Sequence, residues 1–199
     1  IAKALAGAGA KIVFNDIKQE FVDRGLASYA ADGIDATGYV CDVTDEDAVQ
    51  AMIKTIEAEV GNVDILVNNA GGGVAIKEVS ELSVEEIDST IKLNLNSVIY
   101  GCREFADMMR QQKTGTMINI SSVCARECWP TWSVYAAAKA GVLNFSKGMY
   151  LEMQPYNVRV TCVIPSSAST GFQSSCGIGE TTDKLLPEDI AQTVLDRKS

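Results

Sequence analysis

An apolar, β-branched run, Met117-Ile118-Asn119-Ile120, ends in two serines, Ser121 and Ser122, and leads on to an Ala-rich segment that opens with Tyr135. This stretch constrains the fold most, because it reads as a buried strand feeding a helix through a short loop. Lys139 stands four residues after Tyr135. Positions i and i+4 share one face of a helix, so the phenol and the ammonium point into the same space. Strand ends beside helix starts are where open α/β sheets bind ligands, which lets Ser122 face the pair. The chain contains no histidine, so proton transfer near neutral pH needs another device. A serine hydroxyl, a tyrosine that can lose a proton and a lysine that favours the loss supply one.

The rest of the chain alternates in the same way. Residues 1–9 read as the end of a helix with Gly7 or Gly9 as its stop. Residues 11–16 form a short buried strand closed by Asp16, a polar helix over about 18–33 ends near Gly33, and 37–42 is the next strand. Thr44-Asp45-Glu46-Asp47 has the form of a capping box for a helix running to about Val60. Residues 63–69 read as a strand with both faces buried, running into Ala70 and three glycines. Ser83-Val84-Glu85-Glu86 is a second capping box, opening a long helix over about 84–112. Its apolar stripe of Ile87, Ile91, Leu95 and Val98 is interrupted by Asn94, a satisfied polar residue where the helix kinks. Residues 157–165 are another strand, and 171–186 read as a mobile loop that would cover substrate. Pro187 starts a last helix, with Glu188 and Asp189 in its first turn.

At 199 residues the chain makes one domain with a sizeable core, and no apolar run is long enough to cross a bilayer. A net charge of −9 argues against binding a phosphate backbone, so neither membrane nor nucleic acid is an expected partner. Cys124 and Cys128 are the one close cysteine pair, and no histidine or second pair completes a zinc site. No metal is expected, and reduced thiols in the cytoplasm are the reading of the scattered cysteines.

Ser122, Tyr135 thirteen residues later and Lys139 one turn on resemble the catalytic signature of the short-chain dehydrogenase/reductase family. Asp16, Asp42-Val43, Asn68-Asn69-Ala70-Gly71, Asn94 and the segment 165–170 match further motifs of that family in chain order. The resemblance implies an α/β fold, a doubly wound parallel sheet of Rossmann type in a single domain. It also implies hydride transfer between NAD(P) and the carbon–oxygen centre of an alcohol or ketone. Tyr135 would be the general acid/base, and Ser122 would hydrogen-bond the substrate oxygen. Lys139 would favour the phenolate and touch the cofactor ribose, and Asn94 would help to hold a water in a proton relay.

The resemblance assigns the cofactor contacts as well. A strand-end acid accepts hydrogen bonds from the adenosine ribose and repels a 2′-phosphate, and Asp16 is followed by Ile17 rather than Arg. NAD is therefore expected over NADP. Asp42-Val43 matches a pair whose acid lies near the adenine amino group, although a structural turn is the other reading of Asp42. Asn69, Ala70 and Gly71 would let the backbone pass close to the adenine ribose, while the asparagines bridge strands. Pro165, Ala168 and Thr170 stand in a segment resembling Pro-Gly-x-Val-x-Thr, which grips the nicotinamide carboxamide. Ser166, Ala168 and Ser169 depart from that pattern, and a serine adopts a strained positive φ less readily than glycine.

Assembly and completeness follow from the same comparison. The family pairs two long helices, here about 84–112 and 133–153, so a homodimer or homotetramer is expected. Ala136, Ala137, Ala140 and Gly141 offer the small-residue surface for that pairing. Arg126, Glu127, Trp129 and Trp132 suggest a substrate pocket that is partly aromatic and partly charged. The family's opening strand and Thr-Gly-x-x-x-Gly-x-Gly loop are not seen before Ile1, and no strand follows Ser199. The domain of residues 1–199 is therefore expected to be N-terminally truncated, incomplete at both ends and a poor binder of dinucleotide by itself. The rival reading is a fold kept for binding or scaffolding without catalysis, or an inactive fragment of a dehydrogenase.

Overall fold

The computed structural model describes residues 1–168 and 185–197. A short first helix, α1 (Ala2–Gly7), precedes β1 (Ile12–Asp16), α2 (Gln19–Ala31) and β2 (Ala36–Val40). Helix α3 (Glu46–Glu59) leads to β3 (Ile65–Asn68). Next come α4 (Val84–Ile91), a π-helical turn (Lys92–Asn96) and α5 (Ser97–Gln112). Strand β4 (Gly115–Ile120), α6 (Ser133–Met153), β5 (Val158–Val163) and α7 (Pro187–Arg197) complete the order.

All strand pairings are parallel, as βαβ connections require. The pairing gives two sheets rather than one continuous sheet: β1 with β2, and β3–β4–β5. Among the described residues, β1 and β3 each have one strand neighbour. That explains a difference from the sequence reading. The four residues of β3 are half-buried rather than enclosed on both faces, because a strand flanked on one edge only is partly open. Central β4, by contrast, is buried at all six positions.

Alternation along β4 sends successive side chains to opposite faces. Met117 enters a core built with Val49 and Ile53 of α3, Cys102 and Phe105 of α5, and Val142 and Met149 of α6. Ile118 and Ile120 point the other way and pack with Val163 of β5 and Val194 of α7. Each fully buried side chain of this size contributes about 1.5–3 kcal/mol of transfer free energy.

Polar side chains also cross this core. Asn68 Nδ2 donates to Asn119 Oδ1 at 2.8 Å, tying β3 to β4, and Asn119 Nδ2 donates to Ser146 Oγ on α6 at 3.0 Å. The expected strand-bridging asparagine is therefore Asn68, working through Asn119. Gly101 on α5 is the companion of this network, since a Cβ there would come within 2.3 Å of Asn68 Oδ1. Cys102 beside it lies 3.3 Å from Asn68 Nδ2, and burial pushes its thiol up to about 12.

Two helix starts have the spacing of capping boxes, and one forms as such. Ser83 Oγ accepts from Glu86 N at 3.1 Å while the Glu86 carboxylate accepts from Ser83 N at 2.9 Å. At α3 the cap is Asp45, accepting from Ala48 N, rather than Thr44. The cause is local: Asp42 Oδ1 holds both the amide and the hydroxyl of Thr44, at 2.9 and 2.8 Å. The expected kink at Asn94 takes the form of the π turn, the usual mark of one residue too many in a helix.

Candidate active site

The site is assembled where β4 ends. Beyond Ile120 the chain stays zipped to β5, with Ser121 N donating to Val163 O at 2.8 Å and Val123 N to Pro165 O at 2.9 Å. This fixes Ser122 at the mouth of a short 3-10 turn (Val123–Ala125), where its Oγ accepts from Cys124 N at 3.2 Å. The hydroxyl hydrogen still points elsewhere, because a hydroxyl can accept and donate at once.

Helix α6 begins at Ser133 with Tyr135 in its first turn. Tyr135 is buried, its ring edge-on to Trp132 at 5.4 Å between centroids, with Ile76 and Cys124 completing an apolar surround. Lys139 lies one turn on and is 4% exposed, with Nζ 5.8 Å from the Tyr135 ring centroid. The ammonium donates to Ile120 O at 3.1 Å. Burial holds its pKa down to about 8, opposed by the thiols of Cys162 and Cys124, which push the other way.

Asn94 reaches the same place from the π turn. It is fully buried, and its Oδ1 accepts from Gly72 N at 3.1 Å. Its Nδ2 donates to Gly72 O at 2.9 Å and to Thr90 O at 3.1 Å. Gly71 lies directly over the pair: a Cβ there would stand 3.0 Å from Asn94 Oδ1 and 3.3 Å from Lys139 Nζ. Only a glycine leaves the chain after β3 room to pass so close to both groups.

The structure thus brings together Tyr135, Lys139, Asn94 and Gly71, with Ser122 at the end of the same strand. Asn69 and Ala70 are exposed just beyond β3, and Pro165 and Ala168 follow β5. Asp16, Asp42 and Val43 belong to the other sheet. Asp16 Oδ1 accepts from Ile17 N at 2.7 Å at the tip of β1, Asp42 is engaged by Thr44, and Val43 packs on the main core. Thr170, and the loop expected over 171–186 apart from its last two residues, lie outside the described residues. Apart from Tyr135 and Lys139 on α6, the described candidate cofactor residues lie at or beyond the carboxyl ends of parallel strands, where α/β sheets bind ligands. The Gly71 backbone, which carries no Cβ to crowd Asn94 and Lys139, fits the close approach a dinucleotide needs.

Three contributors carried no legible signal or a weak one. The Ile120 carbonyl that receives Lys139 is a backbone atom, and the type of its residue does not advertise it. Gly72, which takes both ends of the Asn94 amide, was visible only as one glycine in a run of three. Ser121 donates to Lys139 O at 2.8 Å. It could have been found from alternation, since it shares the α6-facing side of β4 with Asn119.

A separate cleft of about 480 Å³ opens between β5 and α7, lined by Arg126, Cys162, Pro165 and Asp189 among others. Tyr135, Ser122 and Asn94 are not on its wall. Among the described residues no cluster of acidic, cysteine or histidine side chains could hold a metal ion, and no helix is long and apolar enough to cross a membrane.

A family model described as short chain dehydrogenase matches residues 1–182. The 2-dehydro-3-deoxy-D-gluconate 5-dehydrogenase of Formosa agariphila is 36% identical over 173 residues, 85% of this chain and 64% of that protein. The protein described as probable oxidoreductase EphD of Mycobacterium bovis is 35% identical over 88% of this chain, which spans 30% of its length. A gluconate 5-dehydrogenase from Burkholderia cenocepacia J2315, solved in complex with NADP and tartrate, superposes with a TM-score of 0.82 at 32% identity. The superposition covers 87% of this chain and 68% of that one.

Proposed function

The chain belongs to the short-chain dehydrogenase/reductase family, and from that premise we propose that it serves an NAD(P)-dependent oxidoreductase interconverting an alcohol and a ketone. The observation that carries this reading is the burial of the Lys139 ammonium one helical turn from Tyr135, at the carboxyl end of β4. Burying a charge costs stability, and groups buried in this way cluster at functional sites. The bound nicotinamide would donate or accept the hydride.

Tyr135 gives its proton to the carbonyl oxygen in reduction and takes the alcohol proton in oxidation. An ordinary phenol titrates near 10 and is a poor base at neutral pH. The ammonium of Lys139 favours the phenolate and brings that proton within reach. Ser122 turns its hydroxyl hydrogen toward the substrate oxygen, which stabilises charge as it develops there. Asn94 holds the Gly71-Gly72 backbone in place over Lys139. Its side chain spends both N–H donors on backbone carbonyls, so a relay water would be held through its remaining acceptor capacity.

Asp16 favours NAD over NADP, because a carboxylate at the tip of β1 would face the 2′-phosphate with Ile17, not a cation, beside it. The NADP complex of the Burkholderia relative keeps both cofactors in the test. Asn69, Ala70, Gly71, Pro165, Ala168 and Thr170 would contribute further cofactor contacts, as would Asp42 and Val43. The reading includes a cytoplasmic protein, in line with the free thiols of the five described cysteines. It also includes a homodimer or homotetramer paired through α4–α5 and α6. For that surface only Ala137 and Ala140 are exposed, while Ala136 packs with Tyr135 and Gly141 faces Leu95. Turnover of a panel of alcohols and ketones with NAD and NADP, for the wild type and Tyr135→Phe, tests the whole reading. Turnover that survives the loss of the phenol hydroxyl would refute it.

A further inference from the structure

We propose that Ser121 is a positioning residue that clamps Lys139 to the end of β4, and so sets where the ammonium stands relative to Tyr135. The role in turnover rests on the oxidoreductase reading above. The clamp itself does not.

Lys139 is gripped at both ends by consecutive residues, Ile120 at the end of β4 and Ser121 just beyond it. Its side-chain Nζ donates to the carbonyl of Ile120 at 3.1 Å, and its main-chain carbonyl accepts the hydroxyl of Ser121 at 2.8 Å. The direction of the second bond is fixed, since a carbonyl can only accept. Both residues are almost fully buried, Ser121 at 3% and Lys139 at 4% exposure, so no water competes for either bond. Ser121 is itself immobilised, because its amide donates to Val163 O. The tether therefore runs from β5 through Ser121 into the turn of α6 that carries Lys139.

The geometry has a consequence for charge. A lysine side chain has four rotatable bonds, and an ammonium prefers water. Holding the helix turn down on β4 shortens the reach of Nζ and keeps it under Gly71, against Ile120 O, instead of letting it swing outward. The titratable groups that face it are Tyr135 on α6, Cys124 on the 3-10 turn and Cys162 on β5. The Cys162 thiol lies against Ser121 and Ser146 as well.

The experiment is an NMR titration of the whole chain carrying lysines labelled with ¹³C at Cε, with the Lys139 signal assigned by its loss in Lys139→Met. Ser121→Ala is expected to move the Lys139 midpoint upward by about one pH unit, as the released ammonium gains water. Ser121→Thr keeps the hydroxyl and should leave the midpoint where it is in the wild type. In turnover assays Ser121→Ala should lower kcat by about tenfold and displace the pH profile, with Ser121→Thr close to wild type. An unchanged Lys139 midpoint in Ser121→Ala overturns the proposal, even if the variant melts earlier. If Ser121→Ala does not fold, Ser121→Cys, similar in shape but a weak donor, must move the midpoint in the same direction or the clamp is wrong. A wild type without turnover on any substrate would sink the oxidoreductase reading and leave the titration to decide the clamp.

Discussion

Gly72 and Asn94 exchange a reciprocal pair of hydrogen bonds, amide to Oδ1 at 3.1 Å and Nδ2 to carbonyl at 2.9 Å. One buried side chain thereby takes the place of a strand neighbour for the loop that follows β3. Asn94→Ala would leave both backbone groups of Gly72 and the Thr90 carbonyl without that partner. The expected cost is about 2–4 kcal/mol, read as a lower urea midpoint at unchanged slope. A loss under about 0.5 kcal/mol would mean that water replaces the side chain and the loop is not held by it.

Gly71→Ala tests the crowding over Lys139. The new methyl would stand 3.0 Å from Asn94 Oδ1 and 3.3 Å from Lys139 Nζ, so these groups must give by a few tenths of an ångström. Stability should change little, and turnover should fall by about tenfold or more through displaced geometry. Steady-state kinetics beside a thermal melt will separate the two effects.

Lys139→Met is expected to stabilise the protein at pH 7 while abolishing turnover. The folded pKa of about 8 lies below the ordinary 10.5, so the native state holds the proton less tightly than the unfolded chain. Below pH 8 the wild type therefore bears the full cost of burying the ammonium, on the order of 3 kcal/mol. Between pH 8 and 10.5 the unfolded chain binds more protons, and wild-type stability rises relative to the variant. The variant's advantage measured by urea melts should shrink across that window. A constant difference at pH 7 and pH 9.5 would show that Lys139 titrates normally. Taking the difference also cancels the opposing thiol contribution of Cys102.

Ser122→Ala should slow turnover by roughly 10²-fold with little change in the melting curve, because the lost hydroxyl serves the substrate oxygen rather than the core. The short 3-10 turn loses one cap to Cys124 N, worth about 1 kcal/mol at most. If kcat holds while KM rises, Ser122 binds the ground state and does not act on the developing charge.

Asp16→Ala should narrow the preference between cofactors without changing kcat for the better one. Comparison of kcat/KM for NAD and NADP in both proteins reads it directly. Equal values in the wild type would remove the carboxylate from the argument.

Much of this architecture was legible because periodicity and terminal signals are local. The 133–153 helix has the bounds read from sequence, and the Ser83–Glu86 box closes as its spacing requires. The cap of α3 was misplaced by one residue because Thr44 and Asp45 are both good caps, and what decides between them is a bond from Asp42. The register of each strand pair was beyond reach of pattern alone, since it is set by contacts distant in sequence. Tyr135 and Lys139 announce themselves through spacing. The partners that hold Lys139, Ile120 O and Ser121, become visible only when the strand and helix are seen docked.

A π turn is an α helix carrying a surplus residue, and the segment Lys92–Asn96 absorbs it between α4 and α5. Each α-helical residue turns the chain by about 100°, and the wider π turn spends one residue more on nearly the same rotation. Deleting one residue from the segment would therefore return it to α geometry with α4 and α5 still in phase. The capped start at Ser83 would keep its neighbours, while the bulge that carries Asn94 to Gly72 would be gone. The surplus residue thus serves the place of Asn94 rather than the alignment of the two helices.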